Sequence, residues 1–242
     1  VRNGLMCGDS FLVNLSVKTP VTTTLSMEDI FLRSSALYNL YIPGRLVCFS
    51  PERFVLIRDG KIRTNPMKGT IDAKIPGAEN AILSNHKETA EHYTVVDLLR
   101  NDIGMVARRV CVERFRYIDK IQANGKEILQ VSSEITGELS GDYLSRLGDI
   151  VLPMLPAGSV SGAPKKSTLD IIRRAEGEKR GFYTGVFGFF NGEALDSGVL
   201  IRYIEKGPDG RLFFRSGGGV TVQSNVRDEY DESITKIYLP VL

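Results

Sequence analysis

Two acidic pairs stand out as residues that could do chemistry. Glu88 and Glu91 lie in the stretch Lys87–Asp102, where Tyr93, Val95, Val96, Leu98 and Leu99 recur at helical spacing. Asn85, three residues before Glu88, is a plausible N-cap. The i,i+3 spacing puts both carboxylates on one helix face. Glu229 and Glu232 repeat that spacing near the C-terminus. Taken alone, the first pair reads structurally: Glu88 favours the first turn and Glu91 is solvated. The second pair shifts the balance. Two acidic pairs, a lysine in a tight turn and a glycine-rich strand end suit a carboxylate-bearing substrate held through a hard metal ion.

The lysine is Lys68, in Pro66-Met-Lys68-Gly-Thr70 at the end of a strand. A turn lysine is ordinarily a solvated charge; a nucleophilic one must be desolvated or set near other cations. Glu52, at the start of a strand, reads as edge solvation or as an acid that protonates a leaving group. Gly217, Gly218 and Gly219 follow a strand. A turn or bulge and a close approach of backbone N–H groups to an anion are equally open readings. Gly158 to Lys165 is not a phosphate loop: its second glycine comes one position early and Pro164 sits where the lysine belongs. His86 and His92, the two histidines, do not share a helix face, which argues against a histidine-based metal site. No Ser/His/Asp or Cys/His spacing suggests acyl transfer.

The elements that must position these residues follow from pattern. Phe11–Leu15 reads as a strand and Ser26–Leu40 as a helix capped by Ser26. Leu46–Phe49, Phe54–Arg58 and Lys61–Asn65 read as strands, with a hairpin at Asp59-Gly60. The main helix runs from about His86 to Ala107. A second hairpin joins Val110–Ile121 to Glu127–Thr136 across Asn124-Gly125. Helices are predicted over Asp142–Leu152 and Pro164–Glu176, strands over Tyr183–Phe190, Ala194–Ile204 and Arg211–Arg215, and a closing helix from near Arg227. Hairpins rather than β-α-β alternation favour an α+β fold with antiparallel sheets.

Composition narrows the partners. In 242 residues, 31 basic and 29 acidic side chains leave a net charge of +2, which argues against nucleic acid or an anionic membrane as the main partner. No stretch reads as a membrane span or signal peptide. Cys7, Cys48 and Cys111 read as reduced, mostly buried thiols of a cytoplasmic protein. Val1 to Gly8 reads as a helix end and a turn with no initiator methionine, so a fragment, or a chain lacking an N-terminal portion, is expected.

Taken together, the chain resembles the chorismate-utilising enzymes. The matching stretches are Phe49–Phe54, Pro66–Thr70, Lys87–His92 with Val96–Asp102, Ser161–Lys165, Ser216–Val220 and Asp228–Glu232, in the family's order and over nearly the whole chain. Lys68 resembles aminodeoxychorismate synthase component I; anthranilate and isochorismate synthases usually carry alanine there. Leu12 lies near where the isochorismate and salicylate enzymes carry a water-activating lysine, and Gln130 where anthranilate synthases carry histidine. The resemblance implies antiparallel sheets packed as a sandwich with helices outside, in a single chorismate-binding catalytic domain over residues 1–242. It implies Mg²⁺ held by Glu88, Glu91, Glu229 and Glu232 on the ring carboxylate of chorismate, Glu52 as the acid at C4 and Lys68 as a covalent nucleophile at C2. Ammonia from a partner glutamine amidotransferase subunit would then give 4-amino-4-deoxychorismate, for 4-aminobenzoate and folate synthesis. Tyr183 and Arg202 match positions that hold the enolpyruvyl carboxylate; Gly217, Gly219 and Lys236 match further carboxylate contacts; Thr70 and Ser159 match substrate-binding positions. The alternatives are anthranilate synthase component I and a non-catalytic chorismate-binding protein.

Overall fold

The structure is a computed structural model that describes residues 1–123 and 126–240. In chain order the elements are α1 (Arg2–Met6), β1 (Leu12–Val21), α2 (Met27–Arg33), β2 (Tyr38–Ile42), β3 (Leu46–Ser50), β4 (Arg53–Arg58), β5 (Lys61–Thr64) and β6 (Met67–Asp72). Then come α3 (Ala78–Ser84), α4 (His86–Gly104), β7 (Arg108–Ala123), β8 (Lys126–Glu138), α5 (Leu147–Val151), α6 (Gly158–Ser161), β9 (Gly162–Ala163) and α7 (Lys165–Glu176). The chain closes with β10 (Val186–Phe190), β11 (Leu195–Val199), β12 (Tyr203–Lys206), β13 (Leu212–Val220) and α8 (Val226–Thr235).

Two compact units share this chain. The first comprises Val1–Glu52, Val160–Phe187 and Gly198–Leu242; the second comprises Arg53–Ser159 and Gly188–Ser197. In the first unit, a six-stranded sheet runs β2-β3-β12-β13-β1-β9, and its pairings are antiparallel. Strand β3 is buried along its whole length, and its alternating side chains serve both faces. Val47 and Phe49 pack with Ile30, Ile204 and Phe214, whereas Leu46 and Cys48 pack with Tyr183, Leu200 and Tyr203. In the second unit, the sheet runs β10-β11-β4-β5-β8-β6, with β7 also on β8. Ile57, Ile62, Val95, Leu99, Ile103 and Ile135 are buried in this unit. The expected α+β class with antiparallel sheets holds.

Asp59-Gly60 turns β4 into β5 with both residues at positive φ, the geometry that makes this dipeptide a hairpin signal. The Asn124-Gly125 turn lies outside the described residues, although β7 and β8 do pair antiparallel. Helix α4 starts at the expected Asn85, whose side-chain oxygen accepts from the Glu88 N–H. Several expectations are corrected. The helix predicted over Ser26–Leu40 ends at Arg33: Ser35 N–H donates to the Pro240 carbonyl, and the chain turns into β2. The strand predicted over Ala194–Ile204 is two strands, interrupted where Arg202 takes φ 53°. Helical structure in Asp142–Leu152 is one α-helical turn flanked by tighter 3₁₀ turns. Of the three cysteines, Cys48 is buried but Cys7 and Cys111 are exposed. Burial pushes the Cys48 thiol up to about 12.

Candidate functional site

In the second unit, Lys68, Glu88 and Glu91 come together. Lys68 is not in a turn: it lies in β6, where the register against β8 shifts between Met67 and Thr70. That bulge re-aims its side chain. Gly69 takes φ 82°, a conformation glycine adopts freely, and a Cβ there would stand 3.4 Å from Glu88 Oε2. Lys68 Nζ lies 3.2 Å from Glu91 Oε2, with the two side chains 22% and 8% exposed. Glu91 is therefore buried, not solvated. Lys87 brings a second ammonium 4.0 Å from Glu91 Oε1.

The neighbouring His92, 1% exposed, is tied to Ser133 through Nε2 and Oγ at 2.7 Å. Ser133 Oγ also accepts from the Arg116 N–H, and Ser133 N–H donates to the Pro66 carbonyl, two residues before Lys68. Burial, then the charges of Arg116 and Lys68, lower the His92 pKa to about 4. The imidazole is neutral at pH 7. His92 was outside the predicted site, yet its sequence position is telling: 92, 95, 96, 99 and 103 make the buried stripe of α4. Thr70 is exposed and pairs through its backbone with Gln130. Ser159 is half-buried, next to Gly158, whose N–H donates to Asp102 Oδ2 at 3.1 Å.

The first unit collects the remaining predicted residues. Gly217–Gly219 form neither a turn nor a bulge: β13 pairs with β1 in unbroken register, Ser16 opposite Gly217, Leu15 opposite Gly218 and Asn14 opposite Gly219. Gly217 answers to close approach. A Cβ there would stand 2.6 Å from the Leu15 carbonyl oxygen and 2.8 Å from the Tyr183 hydroxyl. Tyr183 is buried, and its ring tilts against Tyr203 at 5.7 Å. Burial pushes its phenol well above the ordinary range; Arg180 and Arg202 oppose that shift, and Glu176 and Glu52 add to it. Those charges place Glu52 and Arg202 in the electrostatic neighbourhood of Tyr183. The Glu52 backbone is pinned by its N–H to Ser50 Oγ and by its carbonyl to the Val199 N–H. Arg202 also stacks its guanidinium over Tyr238, 5.2 Å from the ring centre.

On the α8 side of β13, Glu229 Oε2, Glu232 Oε1 and Lys236 Nζ each lie 3.7 Å from the position of a Gly218 Cβ. Lys236 Nζ pairs with Glu232 at 2.6 Å and donates to the Gly217 carbonyl at 2.8 Å. In each unit, then, a lysine ammonium stands against one carboxylate of an i,i+3 acidic pair. All-oxygen donors of this kind fit a hard divalent cation. Among the described residues no group of three or more His, Cys, Asp and Glu side chains makes a metal site by itself. Water and substrate oxygens would have to complete any coordination shell, as Mg²⁺ prefers.

Comparison with known proteins identifies the family. The family model of the chorismate binding enzymes matches residues 1–241. The chain is 51% identical over 241 residues to an uncharacterized PabA-like protein of Haemophilus influenzae, covering 100% of this chain and 73% of that protein. It is 33% identical over 253 residues to aminodeoxychorismate synthase component 1 of Bacillus subtilis, covering 98% and 52%. Among solved structures, anthranilate synthase component I from Streptococcus pneumoniae superposes with a TM-score of 0.79 at 30% identity, covering 97% of this chain and 54% of that one. The chain belongs to the chorismate binding enzyme family. It spans about half the length of the two named synthases. Among the described residues no helix is long and apolar enough to cross a membrane.

Proposed function

We propose that this chain is the chorismate-aminating component of an aminodeoxychorismate synthase. The observation that carries the reading is Lys68, half-buried on a bulged strand and 3.2 Å from the buried Glu91 carboxylate. A surface lysine needs neither feature. The Lys68 amine forms a bond to C2 of chorismate, the ring double bonds shift and the C4–O bond breaks. Glu52 supplies the proton with which the hydroxyl leaves as water, and the ammonium formed at the Lys68 nitrogen loses its proton to water. Ammonia then bonds to C4, the ring double bonds shift back and the C2–N bond breaks, the proton shed by the new ammonium offsetting the one that the departing Lys68 amine takes up, giving 4-amino-4-deoxychorismate. Two successive displacements leave the new amine at C4.

Tyr183 and Arg202 hold the enolpyruvyl carboxylate, Arg202 through the paired N–H geometry that suits such a group. Lys236 and the N–H groups around Gly217 and Gly219 add further carboxylate contacts, with Thr70 and Ser159 beside the ring. Mg²⁺, held by Glu88, Glu91, Glu229 and Glu232, would neutralise the ring carboxylate. A glutamine amidotransferase subunit would supply the ammonia, in the cytoplasm, for 4-aminobenzoate and folate synthesis.

The test is product identification by mass and chromatography after incubation with chorismate, Mg²⁺ and ammonium. Aminodeoxychorismate is expected, and Lys68→Ala should abolish it. An undiminished 4-amino product from that variant would overturn the covalent role. Similarity to anthranilate synthase component I supports a second reading, and anthranilate as product would establish it. Chorismate binding without any product would identify a binding protein.

A further inference from the structure

The first unit contains a buried ion pair with no place in that reaction. Helix α7 ends at Glu176, Gly177 reverses the chain at φ 66°, and Arg180 returns over the glutamate. Arg180 Nη2 lies 2.6 Å from Glu176 Oε1, and Nε lies 2.9 Å from Oε2. Nη2 also donates to the Asn14 carbonyl at 2.6 Å; Nη1 donates to the Val160 carbonyl at 2.9 Å and to Thr184 Oγ1 at 3.4 Å. Glu176 Oε1 accepts the Ser16 N–H at 2.7 Å. The two side chains are 15% and 5% exposed.

Each guanidinium nitrogen is committed to the protein, which leaves Arg180 poorly placed to recognise a substrate carboxylate. What it grips matters more. Asn14 and Ser16 lie in β1, opposite Gly219 and Gly217. Thr184 follows Tyr183 and is held at φ 64°, a strained conformation for a β-branched residue. Such strain persists only where the surroundings over-determine it. Here Thr184 N–H donates to the Leu200 carbonyl, Tyr183 N–H donates to the Arg180 carbonyl, and the guanidinium reaches the Thr184 hydroxyl.

We infer that the Glu176–Arg180 pair is a positioning device: it fixes the Tyr183–Thr184 turn against the Asn14–Ser16 stretch of β1 and so aims the Tyr183 hydroxyl over Gly217. The inference rests on the proposed role of Tyr183 in chorismate binding. The chain itself would be titrated with chorismate in Mg²⁺ by calorimetry, comparing wild type, Tyr183→Phe, Arg180→Gln, Arg180→Lys and the Arg180→Gln/Tyr183→Phe double variant. Loss of one hydrogen bond to a charged group predicts about tenfold weaker binding for Tyr183→Phe. Arg180→Gln should lose at least as much, and the double variant should bind within about twofold of Arg180→Gln, because coupled groups are non-additive. Arg180→Lys, which keeps the charge but lacks the planar fork, should not rescue binding.

Additive losses, or rescue by lysine, would overturn the inference. Amide hydrogen exchange gives a readout independent of chorismate. Arg180→Gln should speed exchange at Thr184 and Gly185 by about tenfold or more, with the β4–β5 hairpin unchanged. Unchanged protection at Thr184 would overturn the inference. If wild type binds no chorismate, or Tyr183→Phe binds like wild type, the functional reading of the pocket fails and the exchange result alone decides the clasp.

Discussion

Replacing Gly217 by alanine tests whether β13 is glycine-rich because something must come close to it. The new Cβ would lie 2.6 Å from the Leu15 carbonyl oxygen and 2.8 Å from the Tyr183 hydroxyl. The first neighbour is backbone in a paired strand, so it cannot swing away. The second is the end of a buried ring packed on Tyr203. Overpacking of this kind costs about 1–3 kcal/mol. For a chain of this size, about 2 kcal/mol lowers Tm by about 4–8 °C. Gly218→Ala is the internal control. Its Cβ would meet Glu229, Glu232 and Lys236 only at 3.7 Å, an ordinary contact distance. Relief of glycine's backbone entropy should leave that variant within about 0.5 kcal/mol of wild type. Urea unfolding of both variants measures the contrast, and chorismate calorimetry follows the Tyr183 hydroxyl. Equal stability and equal binding in the two variants would refute the argument that close approach fixes Gly217.

The pH dependence of stability should carry the mark of His92. Its folded pKa is lowered from 6.5 to about 4, so the unfolded chain binds more protons between those values. This contribution is complete above pH 6.5 and lost as pH falls toward 4, up to about 3 kcal/mol; denaturant melts across that range should show a fall that His92→Gln largely removes. Arg215, 4% exposed and 3.0 Å from both Glu205 and Glu178, should be costly to truncate. Arg215→Ala should lose about 2 kcal/mol in urea unfolding, because it removes a buried guanidinium and its charged hydrogen bonds and leaves Glu205 to Lys18 and the Tyr203 hydroxyl alone. Saturating Mg²⁺ at about 100 Kd should raise unfolding free energy by about 2.7 kcal/mol; thermal melts with chelator and with Glu88→Gln or Glu229→Gln should show that rise absent or reduced.

Local signals were legible where the cause was local. The Asn85 cap, the Asp59-Gly60 hairpin and helix α7 all depend on residues near in sequence. The acidic pairs were legible because i,i+3 spacing alone puts two carboxylates on one face. The burial of Glu91 was not: it depends on Lys68 arriving from β6, and a bulge has no reliable sequence mark. Ser26–Leu40 misled because its later residues pair in β2 against β3. The Ala194–Ile204 run looked continuous because a positive φ at an arginine cannot be foreseen from pattern. The Glu176–Arg180 pair has helical spacing, but the helix ends between the two, so a periodicity argument would have found it for the wrong reason. At Gly217 the unbroken β1–β13 register removes the turn or bulge, and the crowding that requires a glycine was not legible because the Tyr183 hydroxyl comes from 34 positions back along the chain.

The pairing of β1 with β13 joins Val13 to Val220, and Val55 in β4 exchanges hydrogen bonds with the Ser197 side chain, 142 residues away. A ribosome making this protein releases the first strand long before its partner exists. At about 5–20 residues per second, the wait from Val13 to Val220 is on the order of 10–40 s. During that time the edge of β1 that pairs with β13 has no partner for its backbone N–H and C=O groups. Nascent chains of this protein should therefore be good clients for holding chaperones, and the synthesis rate through the stretch that encodes β13, rather than through β1, should govern how much of the product folds.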